Sequence, residues 1–421
     1  MKVLKRSLIC LGVFAGLIVA YLVCMTILYS FGDNAVIENV TSAKTVLEAE
    51  GSYPDHYLYQ IPGRLDNFTD KLMVDKALKG YEGDTFKQAL SNTGYPRYWH
   101  GYLTWLKPLL KFFTYPEIRN ILGYFQIIVL CAAFFFITKT QGFRVSIPYV
   151  IAWLSAYGVV STLSLQYFSA FFVAGVASLF IAVMYRYKQE LSDYFYLLFF
   201  MCVGSIINFL DLLTFPVITL CMPLVIVVMR DIQNEKGVLK SIKTIAISCV
   251  SWGISYGLTW FLKWWIASIA LKSPVVKNAL EQVIFRSSGD ATHPIDRIQV
   301  LKSNLSCMEL LEYLLTTPWI WIVAIALAFL FKNKKRLVLA LPLLVISAIP
   351  FAWYEVLCSH SAIHVFFTYK SQMGALFAVL VFLLICIIPK KEVMAEYKNC
   401  IVNLVSKILN KKNSKLKQES E

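Results

Sequence analysis

The sequence predicts an all-α, polytopic membrane protein of about ten transmembrane helices. Of its 421 residues 58% are hydrophobic and 16% charged, where a soluble domain carries about 25% charged residues. The mean hydropathy is +0.61. Apolar runs close to the ~20 residues that cross a bilayer recur along most of the chain.

The elements follow in order. Residues 1–31 form the first, with Lys2, Lys5 and Arg6 ahead of an apolar run from Ser7 to Phe31. A cleavable signal would have an apolar core of roughly 7 to 15 residues and a small-residue cleavage site, so an uncleaved anchor with a cytoplasmic amino terminus is expected. Residues 32–117 are polar and contain no crossing run, which predicts a large exofacial loop domain. Within it the segment from Tyr98 to Tyr115 is aromatic-rich but short, with Lys107 and Pro108 at its centre. Rings with one polar edge favour the headgroup level, so a helix lying along the outer interface is predicted there.

Residues 118–270 carry spans two to seven, in runs 118–137, 146–163, 166–184, 194–208, 212–229 and 245–270. Residues 271–312 are the second exofacial loop. Residues 313–388 hold spans eight to ten, in runs 314–331, 337–353 and 371–388. The basic tail 389–421 repeats Val393, Tyr397, Ile401, Leu404, Val405 and Ile408 at helical spacing, which predicts an amphipathic helix on the cytoplasmic membrane surface.

The net charge of +14 has a topological explanation. Lys139/Arg144, Arg186/Lys188, Arg230/Lys236/Lys240/Lys243 and Lys332/Lys334/Lys335/Arg336 fall in alternate connections, as the positive-inside rule requires. Both termini are therefore expected in the cytoplasm, and no nucleic-acid partner is needed to explain the charge. Phosphate-cradling glycine loops, a G-x-S-x-G elbow and C-x-x-C pairs are absent from the sequence. Most of the ten cysteines fall in apolar runs; Cys307 and Cys358 are exofacial and are a candidate disulfide pair. No cofactor and no metal site is assigned.

Candidate chemistry concentrates outside the membrane. Asp66 and Asp70 stand four residues apart, opposite Leu65, Phe68 and Leu72. On a helix the two carboxylates would share one face and point away from the packed one, suited to a general base with a pKa raised by apolar surroundings. Asp66 could equally cap the helix that follows. All five histidines are exofacial; His360 and His364 would share a helix face and either bind metal or phosphate or be structural. Lys370 offers a cation at the start of the last span, or a snorkelling anchor. Asp211, between two runs, is either functional or a cap. The segment RSSGDATHPIDR, residues 286–297, has the composition of a loop that closes over a substrate.

With its large first outer loop, its exofacial acids and its segments LDNFTDKLM, YPRYWHGYL, FLDLLTFP and HSAIHVFFTYK, the chain resembles the GT-C superfamily of membrane glycosyltransferases. Within it the likeness is to polytopic bacterial membrane proteins of cell-surface polysaccharide loci. The resemblance implies a multi-pass protein of a bacterial plasma membrane, in contact with membrane lipid. It further implies a polyprenyl-phosphate sugar donor, a glycan or lipid acceptor, and a catalytic acid in the first outer loop. Carried over, Asp66 is the expected base, with Asp70 beside it. Asp33, directly after the first span where the family more often places its acid, is the rival. Arg64, Arg97, His364 and Lys370 are the expected phosphate-holding cations; Tyr95, Trp99 and Trp105 could stack on sugar or flank the prenyl chain. His100, Asp211 and His360 complete the substrate-binding candidates. The competing readings are a transporter or lipid flippase, favoured by Pro216, Pro223, Pro342 and Pro350 inside spans, and a surface-polymer polymerase or acyltransferase, which would use an exofacial arginine pair such as Arg286 and Arg297.

Overall fold

The computed structural model describes residues 2–30, 34, 36–55, 61–78, 83–289, 294–331, 333–388 and 405–406. Asp33, His56, His293 and nearly all of the basic tail lie outside them. The described residues are helical throughout, with no strand and one isolated bridge between Asp55 and Arg64.

A long amino-terminal helix, α1 (Lys2–Ser30), leads into four short ones: α2 (Ile37–Glu50), α3 (Asn67–Asp75), α4 (Thr85–Ser91) and α5 (Leu103–Phe112). The bundle continues with α6 (Tyr115–Gln141), α7 (Phe143–Ser155), α8 (Leu165–Tyr187), α9 (Asp193–Leu210), α10 (Ile218–Gln233) and α11 (Val238–Leu271). Then come α12 (Val275–Ser288), α13 (Arg297–Ser306), α14 (Glu309–Thr316), α15 (Pro318–Leu330), α16 (Lys334–Val356), α17 (Cys358–Ile363), α18 (Val365–Thr368) and α19 (Met373–Ile387).

Seven of the described helical segments are long and apolar enough to cross a membrane, and the pair α14–α15, bent by 70°, makes an eighth if it is one span. The ten apolar runs thus resolve into seven full-length helical spans, one bent pair and two shorter helices, α7 and α10. At 1.5 Å per residue, 13 residues of α7 reach only about 20 Å of a hydrocarbon core some 30 Å thick. An apolar run needs a neighbour as much as it needs lipid, and α10 shows this: every residue from Ile218 to Ile232 is buried. A helix apolar on all sides belongs in the middle of a bundle, and α10 touches α6, α7, α8, α9, α11, α16 and α19.

The bundle has two distinct ends. At one, Lys236 pairs with Asp231 (3.3 Å) and Glu190 (3.5 Å), Lys240 with Asp193, and Lys335 with Glu235. The Arg6 guanidinium lies 5.0 Å above the Tyr194 ring, so the amino terminus and the basic connections share this end. The other end carries α2–α5, α12–α14, α17 and α18. Of the segment expected to form an interfacial helix, residues 103–112 are α5, which buries Leu103, Leu106 and Leu110 against the bundle and leaves Phe112 outside.

Close helix packing rests on small residues. A Cβ on Gly204 of α9 would lie 2.4 Å from the Trp252 carbonyl oxygen of α11, whereas one on Gly257 would meet nothing within 4 Å. Gly204→Ala is therefore expected to lower stability by about 1–3 kcal/mol through overpacking. Gly257→Ala should gain up to ~1 kcal/mol of helix propensity. Thermal midpoints of the detergent-solubilised variants, read by size-exclusion chromatography, check the pair; equal midpoints would contradict this α9–α11 contact.

Candidate functional site

The segment between α1 and α6 is tied to the bundle by buried polar side chains. Asp70 is fully buried and accepts from the Tyr115 hydroxyl (2.6 Å), the backbone N–H groups of Leu165 (2.7 Å) and Gln166 (3.0 Å), and the Ser164 hydroxyl (3.3 Å). It sits on the first N–H groups of α8, where helix dipole and unsatisfied donors favour an anion. Burial pushes its carboxyl pKa up, and Tyr115, Arg119 and the two N–H groups oppose that shift. Beside it Arg119 makes a two-pronged contact with Glu50 (2.7 and 3.0 Å) and reaches Asn67 (3.1 Å).

These anchors turn the polar residues of α3 inward, where they pack together with Leu65, Met73 and Val74. Asp66, Asn67 and Asp70 are buried while Phe68 and Leu72 are 51% and 47% exposed. The expectation that the carboxylates point away from the packed face is corrected: the bundle presents donors to α3, so the carboxylates share the packed face with Met73 and Val74.

Asp66 does cap α3, accepting from the Thr69 N–H and hydroxyl, each at 2.9 Å. It also lines a cavity of about 390 Å³. Around it stand Tyr53, Tyr95, Tyr98 and Tyr102, the amide of Gln166, the cations Lys76 and Arg286, and the rings of His100, His360 and His364. Burial raises the Asp66 carboxyl to about 6, against its hydrogen bonds from Thr69 and Gln166. Each oxygen holds one Thr69 donor and keeps acceptor capacity. The Gln166 carbonyl oxygen is buried and has no partner among the described residues.

The three histidines are neutral walls. His100, at φ +54°, places Nε2 3.1 Å from the Tyr95 carbonyl oxygen and Nδ1 3.0 Å from the Tyr102 hydroxyl, and burial lowers it to about 3. The next residue must be glycine: a Cβ on Gly101 would lie 2.4 Å from the Phe209 carbonyl oxygen. His360 holds Arg286 at Nδ1 (2.7 Å) and the Leu213 carbonyl oxygen at Nε2 (2.7 Å); burial, then His364 and Arg286, depress its pKa well below the usual value. His364 lies flat on Phe367, and burial with nearby Arg286 lowers it to about 4. Both His360 nitrogens are engaged, which removes it as a metal ligand. Among the described residues no three metal-ligating side chains converge.

The other expected site residues lie elsewhere. Arg64 pairs with Asp55 at 2.9 Å. Arg97 donates to Asn278 and covers the Tyr95 ring from outside the cavity. Trp99 is buried between Tyr21 and Phe209 and donates to the Thr259 carbonyl oxygen, and Trp105 packs on Phe168. Asp211 caps the turn that follows α9, accepting from the Thr214 N–H at 2.8 Å and its hydroxyl; burial raises it to about 6. Lys370 does not snorkel: its Nζ is buried, donating to the Ala156 carbonyl oxygen (3.1 Å) and the Tyr369 hydroxyl (2.9 Å) under the rings of Tyr157 and Tyr167. Cys307 and Cys358 are free thiols.

Lys76, Tyr53, Tyr98, Tyr102 and Gln166 were not singled out from the sequence. Lys76 follows Asp70 by less than two helical turns on the same segment, and that spacing is the one local signal available. No known protein family, no curated protein and no solved structure matches the chain.

The two acids of α3 are expected to separate by stability. Asp70→Asn faces four donors with an amide and should cost about 3 kcal/mol or more. Asp66→Asn keeps a good N-cap. Because the folded-state pKa of Asp66 is raised, its contribution to stability is present at low pH and lost as pH rises through about 6. Asp66→Asn should therefore gain on wild type between pH 5 and 7, as thermal midpoints at the two pH values would show.

Proposed function

We propose that the protein is a membrane glycosyltransferase that moves a sugar from a polyprenyl-phosphate donor to a glycan or lipid acceptor on the exofacial side. The observation that carries this reading is a carboxylate with spare acceptor capacity, Asp66, sharing one tyrosine-walled cavity with Lys76 and Arg286. Glycosyl transfer needs those parts: a base for the acceptor hydroxyl, cations for the departing phosphate, and a water-poor cleft for an oxocarbenium-like transition state.

In the proposed step Asp66 takes the proton of the acceptor hydroxyl as that oxygen bonds to the anomeric carbon. The bond from that carbon to the phosphate oxygen breaks, and its electron pair leaves on the phosphate facing Lys76 and Arg286. The buried, unpaired Gln166 carbonyl oxygen is an acceptor for a further sugar hydroxyl. The exposed Tyr53, Phe68 and Leu72 at the cavity's edge suit a substrate carrying a hydrocarbon tail. Sidedness rests on charge: with the basic connections cytoplasmic, the cavity end is exofacial and α5 lies at the outer headgroup level.

A carrier would place its polar groups at mid-membrane, whereas this cavity is built at span ends. The arginine pair that a polymerase would use is not assembled, because Arg297 is paired with Glu355 at 2.7 Å.

Transfer from radiolabelled polyprenyl-phosphate sugars by membranes containing the protein tests the proposal. Asp66→Asn should slow transfer by a factor on the order of 10² to 10⁴, the usual worth of a general base, while Asp33→Asn stays within about threefold of wild type. The acid limb of kcat/KM is expected near pH 6, where Asp66 loses its proton. Loss with Asp33→Asn but not with Asp66→Asn would move the base to Asp33; no transfer with any donor would end the reading.

A further inference from the structure

Most of the outer arginines are neutralised by carboxylates: Arg64 by Asp55, Arg119 by Glu50 and Arg297 by Glu355. Arg286 is held differently. Its guanidinium, half-buried on α12 at the cavity wall, donates to His360 Nδ1 at 2.7 Å and has no carboxylate within ion-pairing distance among the described residues. A guanidinium has no acceptor, so Nδ1 supplies the lone pair and the imidazole proton lies on Nε2, directed at the Leu213 carbonyl oxygen 2.7 Å away. That carbonyl is aimed by the turn that Asp211 caps, in which Leu213 takes φ +65°. The chain from Asp211 through Leu213 and His360 to Arg286 thus fixes a cation with a neutral ring.

We propose that His360 is a positioning residue that keeps the Arg286 guanidinium fixed and charged with no carboxylate against it among the described residues, and that this makes the cavity wall a binding site for a phosphate group. Lys76 supplies a second cation to the same cavity, with one Nζ proton on the Thr93 carbonyl oxygen (2.9 Å) and the Tyr95 ring 5.8 Å away. Among the described residues Asp66 is the one carboxylate lining the cavity, and each of its oxygens accepts once from Thr69 and keeps acceptor capacity. Among the described lining residues two cations against one acid leave the cavity positive by one charge when all three are ionised. A guanidinium fork suits phosphate oxygens, and a fork already oriented loses less freedom on binding. That the phosphate belongs to a lipid-linked sugar rests on the transferase reading; the anion site itself does not.

The test is calorimetric titration of the full-length protein in detergent with farnesyl monophosphate, farnesol and inorganic phosphate. Farnesyl monophosphate should bind at least tenfold more tightly than farnesol, which lacks the anion. Inorganic phosphate binding as well as the farnesyl ester would support the site and assign it to free phosphate; weaker binding would support it and assign the lipid-linked form. Arg286→Gln should weaken farnesyl monophosphate binding at least tenfold. His360→Gln can accept from Arg286 and donate to Leu213, and should stay within about threefold of wild type. His360→Glu places a carboxylate on the guanidinium and should weaken binding at least tenfold with unchanged elution volume. Equal effects of the Gln and Glu variants would overturn the positioning role. Farnesol binding as tightly as the phosphate, or an unaffected Arg286→Gln, would overturn the anion site. Binding that survives where transfer is absent discards the transferase alone.

Discussion

A single buried carboxylate decides how the segment between α1 and α6 meets the bundle. Asp70 gathers Tyr115 from α6, the hydroxyl of Ser164 and the first two N–H groups of α8, and so holds three parts of the chain at one point. No apolar contact could do this with the same definition, because burial fixes area while hydrogen bonds fix direction. The orientation of α3, and with it the delivery of Asp66 and Lys76 to the cavity, follows from that arrangement. Tyr115 and Arg119, one helical turn apart, brace it from α6 through Asp70, Glu50 and Asn67.

The fold was legible where apolar length and charge asymmetry acted directly. The long runs became α1, α6, α8, α9, α11, α16 and the segment ending in α19, and the basic connections gather at one end. Legibility ended where the environment of a helix is protein instead of lipid. The run 212–229 has the composition of a span but forms a turn and then a helix enclosed on every side. In α3 the carboxylates pack beside Met73 and Val74 while Phe68 and Leu72 stay outside, since periodicity identifies the polar face and not the surroundings that will receive it.

The site was legible in the same partial way. Asp66, His100, His360 and His364 were marked by residue type and meet in one cavity. Arg64, Arg97, Trp99 and Lys370 were marked by the same criterion and are satisfied elsewhere, by Asp55, Asn278, Thr259 and Ala156. Nothing in a local window separates a cation that already has a partner from one that awaits a ligand. Arg286 shows this most plainly, because its holder is a histidine more than seventy positions later in the chain and its aim depends on a turn in a third segment.

The enclosure of α10 has a consequence for how the molecule is made. Of the helices around it, α6 to α9 are synthesised earlier, but α11, α16 and α19 come later. While the chain emerges, α10 therefore has one flank with no permanent neighbour, and its apolar side chains rest there on lipid or on the insertion machinery. The flank closes only when α19 arrives and Gly374 seats against Cys221, where any side chain would collide. Assembly of the core thus waits for α19, and a ribosome that stops short of it releases a bundle whose central pillar is still open to the bilayer.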